Sequence, residues 1–353
     1  MTTPNSLGNA MTTTADRQAI VGATADQFAR AGVFADYQAR RAANTLRRQR
    51  DDLATFADHL AYVRFYADAD GQAERLYSDP AAWSNVTYGL IAGFVRWMLA
   101  QGYAVGTVNL KLSTVKQYAK LAFQADALDA DQHALIRTVA GFQFKEQKRV
   151  NEKRSAEGAA TRKGAKKAES VSLDSAQVRA LKTQPHTPQG RRDALLLALL
   201  LDHGLRVGEL AALDVTALDV REGLMIFDRP KVGKVQTHKL TADALRAAKA
   251  WFISGDAPAA GHLLRGSRKG GALTGAGMSA RAITARVRDL GEAIGVHGLS
   301  AHDLRHSWAT RAARNKTDAF DLRDAGGWNS LAMPSRYVEA AKIANEGVQL
   351  GEG

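Results

Sequence analysis

The sequence predicts a mainly α protein with a small β-sheet, split into a helical amino-terminal domain and a mixed α/β carboxy-terminal domain. Apolar residues recur at helical spacing through most of residues 36–144. Hydrophobicity then collapses between Lys145 and Ser170. From Val171 the chain recovers, with short strand-like segments set among further helical ones. At 353 residues and 45% hydrophobic composition, there is enough chain for two ordinary domains with a core each.

Residues 1–35 are polar, rich in Ala and Thr, and read as a flexible arm with at most one short helix around Thr24 to Ala31. The opening MTTPNSLGNAMTTTADRQ lacks the basic start and apolar core of a secretory signal. Residues 36–144 read as a helical domain. Gln38 to Tyr66 carries Leu46, Leu53, Phe56, Leu60 and Val63 mostly at three- and four-residue steps, with arginines, Arg47 among them, crowding its first half. A second helix runs from Ser84 to Gln101, with Leu90, Ile91, Phe94, Trp97 and Met98 on one face and Gly102 stopping it. In the third, Thr107 to Ala125, Val108, Leu112, Val115, Ala119 and Ala122 form the buried stripe. Asn109, Lys111, Lys116 and Lys120 fall elsewhere, an amide and ammonium set suited to a groove or a phosphate backbone and equally to a plain solvated face.

Residues 145–171, with two basic clusters and almost nothing to bury, read as a linker, either lying along phosphates or acting as a tether. The second domain is expected over 172–345, with a tail at 346–353. Ser172 reads as the cap of a helix over Asp174 to Leu181. Strands follow at Leu213 to Val215, Leu224 to Asp228 and Gln236 to Leu240, with RPKVGK turning between the last two. Helices resume at Ala242 to Ile253 and at Ser279 to Ile294, the latter with Ile283, Val287 and Leu290 inward and Arg281, Arg286 and Arg288 available for DNA.

With no cysteine, the chain has no disulfide, no thiolate nucleophile and no cysteine-bound zinc. A net charge of +12 favours a polyanionic partner. The apolar run from Ala194 to Leu201 is too short for a membrane span, so a cytoplasmic, nucleoid-associated protein without membrane contact is expected.

The chemistry concentrates in two stretches, HGLRVGELAAL from His203 and HDLRHSWATRAARNKTDAFDLRDAGGWNSLAMPSRY from His302. Guanidinium is permanently charged and holds two phosphate oxygens at once. Arg206 and Arg305 on separate helices would bracket one phosphodiester and stabilise the extra charge of its pentavalent transition state. Glu209, three residues beyond Arg206 on the same helix, is placed to pair with it. A tyrosine hydroxyl attacks phosphorus only where positive charge or a base helps to ionise it.

The order G-L-R-x-G-E-L, a hairpin Lys, H-x-L-R-H, G-G-W, then Tyr nine residues on resembles the tyrosine recombinase, or phage integrase, family across about residues 172–345. Trp328, where many members carry His, resembles the Cre-like arrangement. The resemblance implies Tyr337 as nucleophile forming a 3′-phosphotyrosine, Arg206 and Arg305 as phosphate clamp, and Lys231 as general acid with Lys234 as its competitor. It makes His302 a phosphate donor or proton shuttle, and Trp328 a single-donor phosphate contact. His306 reads as structural. His302 and His306 also have the spacing of a zinc pair, but HDLRH lacks the glutamate a metalloprotease needs, so no metal or other cofactor is expected. The resemblance further implies paired sites on double-stranded DNA, a homotetramer working through a Holliday junction, and a tail that packs on a neighbouring subunit, with accessory proteins left open. The competing readings are a type IB topoisomerase-like enzyme and a catalytically silent DNA-binding regulator.

Overall fold

The computed structural model describes residues 13–67, 69–164 and 171–341, in two compact units that divide near residue 166. The expected tail at 346–353 and the first twelve residues of the expected arm lie outside the described residues.

In the first unit, the rest of the expected arm is part of one 26-residue helix, α1 (Thr14–Ala39). A capping box starts it: the Thr13 side chain accepts from the Asp16 amide, and the Asp16 carboxylate accepts from the Thr13 amide at 2.9 Å. Alanine-rich sequence then propagates it. Phe34 ties its end into the core and is its only buried residue, so no apolar stripe announces the helix. α2 (Ala43–Tyr62), α4 (Tyr88–Ala100) and α5 (Val105–Gln124) stand where the apolar periodicity puts them. Two short helices, α3 (Gln72–Ser78) and α6 (Ala130–Thr138), give too few turns for a period to show. Tyr118 of α5 is fully buried, with the rings of Phe34 at 5.6 Å and Tyr77 at 5.8 Å around it.

The expected linker begins instead as α7 (Phe144–Ala156). A helix needs no apolar face where charge pairs and caps support it. Here Gln143 and Glu146 form the cap, Lys148–Glu152 and Lys153–Glu157 pair four residues apart at 3.8 and 3.9 Å, and the buried Arg154 donates to the carbonyls of Tyr103 and Ala160.

The second unit opens with α8 (Ser175–Lys182), capped by Asp174 rather than Ser172: the carboxylate accepts from the Gln177 amide at 2.8 Å, and the Gln177 side chain returns the bond at 3.0 Å. α9 (Pro188–His203) is the centre of the core, with Leu195 to Leu201 all buried. α10 (Val207–Ala212) follows. The strand expected at Leu213 to Val215 shrinks to a single antiparallel bridge of Asp214 with His262 ahead of a 3-10 turn, because Asp214 also accepts from the Thr216 amide and hydroxyl and folds the chain over. The sheet is β1 (Leu218–Asp219), β2 (Leu224–Arg229) and β3 (Lys234–Lys239), antiparallel in the order β1-β2-β3, with Arg229 opposite Lys234. After α11 (Ala242–Ile253) comes a hairpin that the glycine-rich sequence conceals, β4 (Arg265–Ser267) with β5 (Leu273–Gly277).

The chain ends in α12 (Ala280–Glu292), α13 (Ala301–Arg314), α14 (Ala319–Gly326) and α15 (Ala332–Ala341). α13 to α15 enclose a separate small core of Trp308, Ala309, Ala313 and Leu322, on which Trp328 and Tyr337 pack. No helix among the described residues is long and apolar enough to cross a membrane. The architecture is therefore mainly α with small sheets, the class read from the sequence.

Candidate active site

Three guanidinium groups meet where α9 passes into α10. Gly204 ends α9 with a left-handed φ of +59°, and a Cβ there would lie 2.2 Å from the Trp308 ring, so only glycine fits the turn. The turn sets Arg206 at the N-cap of α10. Its amide and Nη1 donate to Glu209 at 2.8 and 2.7 Å, and its Nη2 donates to the Gly327 carbonyl at 2.8 Å. Arg305, on α13 and 4% exposed, donates to the carbonyls of Gly204 and Gly326. Arg229, at the end of β2 and fully buried, donates to Glu209 at 2.9 Å, to Gly326 at 3.1 Å and to Ala325 at 2.8 Å.

The last carbonyls of a helix have no partner within it and carry the negative end of its dipole. Those at the end of α14 therefore collect all three arginines. One carboxylate, Glu209, faces the three cations. Positive charge is left in excess, and burial first, then the fields of Arg206 and Arg229, push Arg305 down to about 10. Arg206 keeps 24% of its side chain exposed and so presents that charge to solvent. Sequence reading missed Arg229, although it ends the inward-facing register of Met225 and Phe227, where a charged side chain must be paired.

The loop after α14 brings the aromatic half. A Cβ on Gly326 would lie 1.9 Å from the Trp328 ring, so this glycine lets the indole lie down. Trp328 has the Arg305 guanidinium 4.5 Å from its ring centre, stacks on Trp308 at 6.1 Å, and has Tyr337 of α15 at 6.0 Å. The Tyr337 hydroxyl is hydrogen-bonded to Nδ1 of His306, and Nε2 of His306 lies 2.9 Å from Nε2 of the exposed His302. Burial pushes the Tyr337 phenol up against the opposing field of Arg305. The imidazole in contact with the Tyr337 hydroxyl is thus that of His306, with His302 one step further out. The corner combines a cationic cradle with a half-buried hydroxyl held on an imidazole, which is equipment for attack on a phosphodiester.

Residues 172–343, which hold all of these side chains, match the Phage integrase family. The match takes in just under half of the chain. The chain is 34% identical over 150 residues to tyrosine recombinase XerC of Pseudomonas aeruginosa, covering 42% of this chain and 47% of the relative. It is 31% identical over 162 residues to XerC of Xanthomonas campestris pv. campestris, covering 46% and 48%. The chain thus spans about half the length of the relatives it matches. In fold it is similar to the Tn1549 transposon integrase, solved in complex with a circular intermediate DNA, with a TM-score of 0.53, 16% identity, and coverage of 81% of this chain and 94% of that one.

Within the matched region Lys231 stands exposed in the turn between β2 and β3. Lys234 starts β3, and its field reaches Asp324, whose carboxyl is held low first by Arg323. The hairpin is anchored to the site through Gln236, which accepts from Arg229 and donates to the Asp324 carbonyl at 2.6 Å.

The side chains expected on DNA divide. Arg286 is turned inward, donating to the buried Asp193 at 2.8 and 2.7 Å. Arg281 and Arg288 remain exposed and line a cleft of about 510 Å³ with Thr284 and Val207. In the first unit, Asn109 exchanges hydrogen bonds with the Phe142 backbone, both at 2.8 Å, and Lys116 donates to the carbonyls of Arg137 and Val139, both at 2.8 Å. Lys111 pairs with the buried Asp52 at 3.3 Å and donates to Thr55 at 2.9 Å. These side chains fix the loop after α6 and join α5 to α2, because buried backbone and carboxylate groups demand partners. Lys120 and Arg47 stay exposed, Lys120 on a cleft of about 610 Å³ with Ser113, Gln117 and Arg137, and Arg47 bonded to Asn44 at 2.8 Å.

Proposed function

We propose that this chain is a site-specific DNA recombinase. The observation that carries the reading is the convergence of Arg206, Arg305, Trp328 and Tyr337 on the carbonyl end of α14. Arg206 and Arg305 bind the non-bridging oxygens of one phosphodiester, and Trp328 adds an indole N–H. The Tyr337 oxygen attacks phosphorus and the bond to the 5′ oxygen breaks, with Lys231 protonating the departing oxygen. The product is a 3′-phosphotyrosine and a free 5′ hydroxyl. Reversal by an incoming 5′ hydroxyl rejoins strands without ATP, because the phosphodiester bond energy is stored in the adduct. Side chains supply every charge and proton in these steps.

Double-stranded DNA is the substrate, gripped through exposed cations such as Arg47, Lys120, Arg281 and Arg288. Strand exchange on paired sites in intracellular DNA proceeds through a Holliday junction held by four protomers, in integration, excision or resolution.

The test is covalent capture. Full-length protein is mixed in EDTA with nicked fragments of its own genomic neighbourhood and denatured, and attached DNA is sequenced. Attachment confined to a defined sequence supports the reading. Site-independent attachment with relaxation of supercoils would point to a type IB topoisomerase, and tight binding without attachment to a silent regulator.

A further inference from the structure

We infer that His306 is the base that removes the Tyr337 proton, with His302 behind it as a positioning residue that fixes its tautomer. The inference rests on the recombinase reading and adds to it the identity of the proton acceptor. Its ground is the chain of contacts from the Tyr337 hydroxyl to Nδ1 of His306, and from Nε2 of His306 to Nε2 of His302 at 2.9 Å. A neutral imidazole has one N–H and one lone pair, and the partner of one nitrogen sets the state of the other. With His302 accepting at Nε2, His306 carries its proton there and its Nδ1 is left as an acceptor, aimed at the phenol. His302 stands exposed at the start of α13.

The geometry is rigid where it matters. His306 and Arg305 are consecutive on α13, and Arg305 is locked by the carbonyls of Gly204 and Gly326. Tyr337 is wedged between His306, with ring centres 5.5 Å apart, and Trp328, at 6.0 Å. The base is thus fixed to the helix that carries the phosphate clamp, and the nucleophile is fixed to the base.

The step balances. The Tyr337 O–H bond breaks and its proton goes to Nδ1 of His306 as the O–P bond forms. The resulting imidazolium keeps its Nε2 proton, shared with Nε2 of His302, while the adduct stands. The P–O bond to the 5′ oxygen breaks, and that oxygen takes its proton from the general acid. In rejoining, the imidazolium returns a proton to the phenol as the tyrosine departs.

The experiment measures single-turnover adduct formation on the nicked duplex recovered by covalent capture with wild-type protein. His306→Gln keeps an acceptor beside the phenol but no base, and should slow the step by about 100-fold or more. Amber suppression then places 3,5-difluorotyrosine at position 337, a phenol acidic enough to ionise without a base. It should recover at least about tenfold of the loss in His306→Gln, by the same general-base logic, and change the wild type little. His302→Phe, which removes the second acceptor while filling its space, should show a smaller loss with the same recovery.

A purely structural His306 would give a loss that fluorination leaves unmoved, and this outcome overturns the inference, as does a His306→Gln rate within about threefold of wild type. His306→Asn, read in the same way, serves if the Gln variant loses its circular dichroism or DNA binding. A wild type that captures no fragment instead refutes the recombinase reading on which the inference stands.

Discussion

Glu209→Gln removes one negative charge from among three arginines. The carboxylate is 7% exposed and accepts from the Arg206 amide at 2.8 Å, Arg206 Nη1 at 2.7 Å and Arg229 Nη1 at 2.9 Å. The amide of glutamine keeps one acceptor oxygen and turns an N–H toward donors, so at least one guanidinium loses its partner. Arg229 has no exposed surface from which to recover the loss in water. Breaking a buried pair costs about 3–5 kcal/mol. Because Arg206 is partly exposed, the lower end applies, about 3 kcal/mol, or a fall of about 6–12 °C in melting temperature for a unit of this size.

Thermal unfolding read by hydrogen exchange on peptides from α9 and α13 follows this unit by itself. Added inorganic phosphate should stabilise the variant more than the wild type, since an anion at the cradle replaces part of the missing charge. A loss below about 1 kcal/mol, with no difference in the response to phosphate, would refute the view that Glu209 holds the arginines together.

Two further perturbations probe the neighbourhood of the cradle. Gly326→Ala places a methyl 1.9 Å from the Trp328 ring, so the indole must leave Arg305 and Tyr337. It should cost about 1–3 kcal/mol and shift tryptophan emission, and adding Trp328→Ala should relieve the clash; a double variant no more stable than Gly326→Ala would show that the strain lies elsewhere. His203 and His238, with rings 5.7 Å apart, are both held down to about 4, chiefly by burial, against 6.5 in the unfolded chain. Between these values the unfolded chain binds protons that the folded one refuses, so stability is full above about 6.5 and falls as pH drops toward about 4. Urea midpoints at pH 7 and pH 5 read this, and His203→Gln with His238→Gln should flatten the dependence; a wild-type midpoint unchanged between the two pH values contradicts it.

Features carried by local order were legible in the sequence. The two histidines and Arg305 share one helix, so their spacing alone sets them on neighbouring turns, and Gly204 with Arg206 announces a helix end followed by a cap. What depends on chain folding back from afar was not legible. Lys116 and Asn109 looked like cations and amides for DNA because nothing local reveals that residues 139–142 return to claim them. Arg286 is spent on Asp193, nearly a hundred residues away in sequence. That Tyr337 of α15 lies against His306 was hidden too, since no periodicity encodes a contact between those helices. α1 and α7 escaped for the opposite reason, since caps and charge pairs support them with little burial.

Whether Tyr337 carries the cleaved strand is read by peptide mapping of the captured adduct. Wild-type protein trapped on DNA in EDTA is digested with nuclease and protease, and the modified peptide is sequenced by mass spectrometry, with Tyr337→Phe beside it. A nucleotide joined through phosphate to the Tyr337 oxygen is expected, with no adduct in the Phe protein despite unchanged DNA binding. A nucleotide on any other residue, or an adduct that persists in Tyr337→Phe, would contradict this expectation.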